Sequence, residues 1–211
     1  MKIDFLEGVW LNKPKIFKVS NSRVAIKTEP GTDFWQRTYY GFRNDNAPAL
    51  LIKSHIDFTF TVRVLFDYKR RFDQCGVIIY FDSNNWFKAS VEHEDEKLSR
   101  LGSVVTNNGY SDWATTDVTP GDLIWYRLHR KGPDFLIESS ADGEIFQQMR
   151  IFHLHFLGND LSSTKAHASG AQKVSSPIHF GLYACSPEES TFEARFDCFQ
   201  LENCQWVSHQ A

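Results

Sequence analysis

The sequence predicts an all-β fold, a two-sheet antiparallel jelly-roll sandwich, and three observations carry that expectation. Phe58, Phe60, Val62, Val64 and Phe66 alternate with Asp57, Thr59, Thr61, Arg63 and Asp67, the period of a strand with one buried face. Similar alternation recurs over 76–81, 86–93, 101–106, 123–130, 135–139, 178–184 and 192–201. Eighteen Phe, seven Tyr and six Trp stand against two Met in 211 residues, and aromatic side chains favour pleated, half-buried surfaces. No long stretch carries the helical period, so strands at such short intervals point to a sandwich rather than an α/β fold.

Between the alternating runs lie turn formers. These are Asp82-Ser83-Asn84-Asn85, Asn107-Asn108-Gly109, Thr119-Pro120-Gly121-Asp122, Lys131-Gly132-Pro133-Asp134 and Ala141-Asp142-Gly143. Asp142-Gly143 suits a hairpin turn that needs positive φ. One segment breaks the rhythm: 153–177 is rich in Ser, Ala, Gly and Lys and reads as a long loop. No composition shift or internal repeat divides the chain, which is expected to form one domain over 1–211.

Composition removes several function classes. The net charge is −3, and no basic block exceeds Lys69-Arg70-Arg71, so a nucleic-acid partner is not expected. No apolar run approaches the ~18 residues a membrane-spanning helix needs. The first eleven residues lack a basic region followed by an apolar one, so a cytoplasmic protein with reduced thiols is expected. Cys75, Cys185, Cys198 and Cys204 lack zinc-site spacing. His153 and His155 alternate as metal ligands can, but a third ligand is not evident. No metal or cofactor is therefore expected.

Period-two geometry locates a candidate site. If Val77, Ile79 and Phe81 face the core, Gln74, Gly76, Ile78 and Tyr80 share the other face. With Phe87, Ala89 and Val91 inward, Lys88, Ser90 and Glu92 point outward beside them. The strand over 123–130 offers Trp125, Arg127 and His129. Aromatic planes mixed with amide, ammonium, guanidinium and carboxylate groups suit a sugar, whose apolar face stacks while its hydroxyls need donors and acceptors. The same charges also fit cross-strand ion pairs on a solvated sheet. Trp35, Gln74, Lys88, Glu92, Trp113 and Arg127 are the expected ligand-binding residues. Trp35 and Trp113 would stack, Gln74 and Arg127 would hold hydroxyls or an acidic group, and Glu92 would accept hydroxyl hydrogen bonds. Asp112-Trp113 reads either as a ligand-contacting loop or as an aromatic plug at one end of the sandwich.

Thr32-Asp33-Phe34-Trp35, Asp73-Gln74-x-Gly76, Trp86-x-Lys88, Ser111-Asp112-Trp113 and the run Tyr183-Ala184-Cys185-Ser186-Pro187, in this order, resemble the concanavalin A-like lectin/glucanase superfamily. Within it they resemble the uncharacterised "regulation of enolase protein" family. The resemblance implies a two-sheet jelly roll with a concave cleft, and the family's name implies an effect on a glycolytic enzyme. Three functions follow as expectations: binding of a sugar or other small polar ligand, glycoside hydrolysis or lyase chemistry through Glu92, or interaction with a protein partner. Glu92-His93-Glu94-Asp95-Glu96 superficially matches the alternating acids of the superfamily's glucanases. A solvated acidic turn from Glu94 to Lys97 is the ordinary explanation of that run.

Overall fold

The computed structural model describes residues 3–158 and 177–207. Its strands, in chain order, begin with six short ones: β1 (Val9–Leu11), β2 (Phe17–Val19), β3 (Arg23–Lys27), β4 (Phe34–Gln36), β5 (Arg43–Asp45) and β6 (Ala49–Ser54). There follow β7 (Phe58–Leu65), β8 (Gln74–Asp82), β9 (Asn85–His93), β10 (Ser99–Asn107) and β11 (Tyr110–Val118). The last five are β12 (Leu123–Lys131), β13 (Asp134–Ser140), β14 (Gln147–His153), β15 (Ile178–Cys185) and β16 (Glu193–Asn203). Two seven-stranded sheets result, ordered β1-β6-β15-β8-β9-β10-β11 and β14-β13-β12-β7-β16-β3-β2, with every ladder antiparallel. β4 and β5 pair only with each other, as a small third sheet.

Alternation decides what fills the space between the sheets. Val77 and Ile79 of β8, Phe87, Ala89 and Val91 of β9, and Phe180 and Leu182 of β15 meet Phe58, Phe60, Val62 and Val64 of β7 and Tyr126 and Leu128 of β12. Burial of such side chains stabilises the sandwich by roughly 1.5–3 kcal/mol each. All eight expected alternating segments are strands, and the expected turns connect them. Asn108 and Gly109 take φ of 52° and 76°, the left-handed pair of a two-residue hairpin turn between β10 and β11.

A second apolar cluster lies on the opposite side of the first sheet. Phe34 of β4 packs there against Tyr80, Trp86 and Tyr183, with Ile78, Val104, Ala49 and Cys185 around them. The β4–β5 hairpin thus plugs part of that sheet's outer face.

The expected loop over 153–177 starts where β14 ends, and His155–Gly158 form one helical turn, α1. Residues 159–176 lie outside the described residues. No helix among the described residues is long and apolar enough to cross a membrane.

Candidate ligand pocket on the first sheet

Beside the Phe34 plug, the outer face of the first sheet holds a cavity of about 370 Å³, within the size range of small-molecule sites. Residues that the period of two turns away from the core form its floor. Gln74 on β8 and Lys88, Ser90 and Glu92 on β9 all line it, because their neighbours in sequence are drawn into the core. Ser103 and Gly102 of β10 continue the floor, and Trp113 of β11 rises at the edge.

Lys88 is only 5% exposed, and its ammonium lies 3.0 Å from Asp33 Oδ1 and 5.7 Å above the Tyr183 ring. Burial pushes the Lys88 pKa down, but Asp33, with Cys185 and Glu92, outweighs that and leaves it raised. Asp33 Oδ1 also accepts the Phe34 backbone N–H at 2.7 Å, while Asn46 Oδ1 accepts the Asp33 N–H at 2.9 Å. The ion pair therefore fastens the entry of β4 to the middle of β9.

Gln74 and Glu92 form the second polar unit. Gln74 Nε2 donates to Glu92 Oε2 at 2.7 Å and to the Phe72 carbonyl at 3.2 Å. Gln74 Oε1 accepts from Tyr183 Oη at 3.0 Å and Ser90 Oγ at 3.4 Å. All hydrogen-bonding capacity of the amide is used within the protein, so Gln74 positions Glu92 rather than holding a ligand hydroxyl. Glu92 Oε1 has no hydrogen-bond partner among the described residues and faces the cavity. Burial pushes its carboxyl up to about 7, with Asp33 and Glu94 adding to the rise and Lys88 and the Gln74 amide opposing it.

The wall is aromatic. Tyr40 and Phe42 stack with centroids 5.5 Å apart and lie 55% and 46% exposed at the cavity mouth; Trp113 is 41% exposed. Trp35 is nearly buried, donates Nε1–H to the Thr38 carbonyl at 3.1 Å and meets Tyr40 edge to face. It braces the wall more than it forms it. The turn carrying Tyr40 holds Arg37 and Tyr39 at φ of 58° and 63°, left-handed conformations that are uncommon for such residues. Arg37 is anchored by Nη1 donating to the Gly109 carbonyl at 2.7 Å.

Five expected residues, Trp35, Gln74, Lys88, Glu92 and Trp113, thus surround one cavity. Arg127 does not. After β10 the chain forms β11 on the edge of the first sheet and then crosses, so β12 belongs to the second sheet. Arg127 consequently faces outward on the far side of the sandwich, its guanidinium 3.6 Å from the Phe146 ring centroid and 3.9 Å from Glu138 Oε2. Asp112 and Trp113 sit on an edge strand, not a loop. Glu94 is bound by Arg71 and Arg100, and Asp95 Oδ1 caps the Lys97 and Leu98 N–H groups, so the acidic run after Glu92 is a turn. His153 Nδ1 lies 2.6 Å from Asp134 Oδ1. Asp33, Tyr40 and Phe42 line the cavity as well, without standing among the expected site residues. Asp33 stood in the Thr32–Trp35 motif, and Tyr39-Tyr40-Gly41-Phe42 is an aromatic run without strand alternation.

The family model described as "Protein of unknown function (DUF1349)" matches residues 10–204. The chain belongs to this family. A Saccharomyces cerevisiae relative named "Regulation of enolase protein 1" is 35% identical over 147 residues, which cover 69% of this chain and 73% of the relative. The crystal structure of a functionally unknown S. cerevisiae protein matches 97% of this DUF1349 chain and 100% of its own, with a TM-score of 0.80 and 29% identity. The GH43 protein BlXynB from Bacillus licheniformis matches 85% of this chain with 32% of its own, at a TM-score of 0.61 and 16% identity. That likeness shows a shared sandwich fold.

Proposed function

We propose that this chain binds a small hydroxylated ligand, a sugar, in the cavity between the β4–β5 hairpin and the first sheet. One observation carries the reading: an exposed aromatic wall of Tyr40, Phe42 and Trp113 stands over a polar floor of buried Lys88 and Ser90 and half-buried Glu92. Exposed aromatic rings are costly to leave against water, and they offer sugar rings the stacking surface that apolar C–H faces favour. The floor supplies ammonium and hydroxyl donors and carboxylate acceptors at fixed positions, as hydroxyl recognition requires.

The test is a thermal-shift and calorimetric screen against neutral and charged mono- and oligosaccharides. A ligand that binds only the folded state raises Tm by mass action. A concentration-dependent rise that Trp113→Ala abolishes is the expected result. A flat response across the panel would remove the sugar reading. Turnover of a bound sugar that Glu92→Gln stops would make the site a hydrolase or lyase instead.

The name of the yeast relative supports a second reading, action on enolase through direct contact. Co-purification of enolase with the full chain, lost on substitution of Tyr39 and Tyr40 by Ser, would favour it over small-ligand binding.

A further inference from the structure

The charges of the cavity are unevenly matched. Lys88 is spent on Asp33 at 3.0 Å, and Arg100 is turned to Glu94 and Asp117. Glu94 is itself shared between Arg71 and Arg100. Among the described residues Glu92 therefore lines the floor with no cation within ion-pair distance and with Oε1 open to the cavity, while Glu188 adds a second carboxyl to the lining. An unmatched, half-buried carboxylate asks for a proton or a cation. Tyr40, Phe42 and Trp113 line the same cavity, and aromatic faces attract cations where water is excluded. An anionic ligand would meet uncompensated carboxyl groups, so acidic sugars and sugar phosphates are disfavoured.

Building on the sugar-binding reading of this cavity, we propose that its ligand carries a protonated amine, seated between Glu92 Oε1 and the aromatic wall: an amino sugar or a comparable amine on a hydroxylated scaffold. Lys88 and Ser90 then serve the hydroxyl groups. Glu92 must be ionised to pair with the amine. The charged groups around it are Lys88 on its own strand, Asp33 before β4, Glu94 beyond the end of β9, and Arg100, its register partner on β10.

The experiment uses paired probes that differ only by an amine in place of a hydroxyl: glucosamine against glucose, and the β-1,4-linked glucosamine dimer against cellobiose. Binding is measured on the full chain and on Glu92→Gln, at pH 7.4 and pH 5.5. The amine probe is expected to bind about tenfold or more tighter than its neutral partner at pH 7.4, in line with a desolvated cation on aromatic faces and a carboxylate. That advantage should shrink to about threefold or less in Glu92→Gln, and also at pH 5.5, where Glu92 is protonated. Neutral probes that bind as well as the amines, and lose binding with Trp113→Ala, would overturn the amine and leave the sugar site standing. An amine preference that survives Glu92→Gln would also overturn the assignment. Silence from every probe would remove both readings. If Glu92→Gln fails to fold, the pH comparison on the parent chain decides alone.

Discussion

Gln74 and Glu92 face each other in register across the β8–β9 ladder, and the amide N–H of one meets the carboxyl oxygen Oε2 of the other at 2.7 Å. Because Gln74 can only donate there, Oε2 accepts, and any proton on Glu92 resides on Oε1, toward the cavity. The pair sets both the position and the protonation geometry of the carboxyl that the cavity presents.

Glu92 gives the protein a pH-dependent stability cost. Its carboxyl rises from 4.5 to about 7 on folding, chiefly through burial. Between those values the folded state holds more protons than the unfolded state, so stability falls as pH rises and levels off above about 7. Glu92→Gln removes this cost while keeping an acceptor for Gln74. The variant should match the parent near pH 4.5 and exceed it at pH 8 by at most about 3 kcal/mol, at 1.36 kcal/mol per unit. Urea melts at the two pH values measure the difference; equal melts would refute it.

The Lys88–Asp33 pair is worth more as a unit than either member alone. Asp33→Asn leaves a buried ammonium without its carboxylate and should cost about 3–5 kcal/mol. Asp33→Asn combined with Lys88→Met should recover most of that loss. Chemical denaturation of the two single variants and the double variant reads the coupling directly; additive losses would contradict it.

Trp113 should matter to binding and little to stability. It sits 41% exposed on an edge strand, so Trp113→Ala should change stability by about 1 kcal/mol or less. Its ring lies over Gly102, where an added Cβ would come 3.0 Å from the indole nitrogen. Gly102→Ala should tilt the ring and weaken ligand binding severalfold while leaving Tm nearly unchanged. Tryptophan fluorescence and the calorimetric titration report the two effects separately.

Two glycines should respond oppositely to the same change. A Cβ at Gly181 would stand 2.0 Å from the Leu50 carbonyl oxygen on the neighbouring strand, so Gly181→Ala should cost about 3 kcal/mol or more. Nothing lies within 4 Å of a Cβ at Gly121, and Gly121→Ala should be neutral or stabilise by up to about 1 kcal/mol. Thermal melts of the two variants settle the comparison.

The sandwich was legible wherever one face of a strand meets the inter-sheet core. β7 announces itself because Phe58, Phe60, Val62 and Val64 are buried while Arg63 is left outside. β11 hid because an edge strand loses that contrast: Ala114, Thr115, Thr116 and Asp117 are all exposed. Missing β11 misplaced Arg127, since the layer to which β12 belongs depends on where the chain crosses. β1, β2, β4 and β5 have three residues each, too few to show a period. Asp33 was invisible for a different reason. It lies 55 residues from Lys88 in the chain, and only the seating of Phe34 on the first sheet brings the two together.

The β4–β5 hairpin belongs to neither large sheet, yet it supplies Tyr40 and Phe42 to a floor built by β8 and β9. In the proposed sugar site, selectivity and scaffold would thus be carried by different parts of the chain. The segment from Thr38 to Phe42 can be rewritten while the ladders beneath keep their register. A library confined to those five positions would diversify the cavity wall on an otherwise constant frame, with the Arg37–Gly109 contact as the hinge pin to retain.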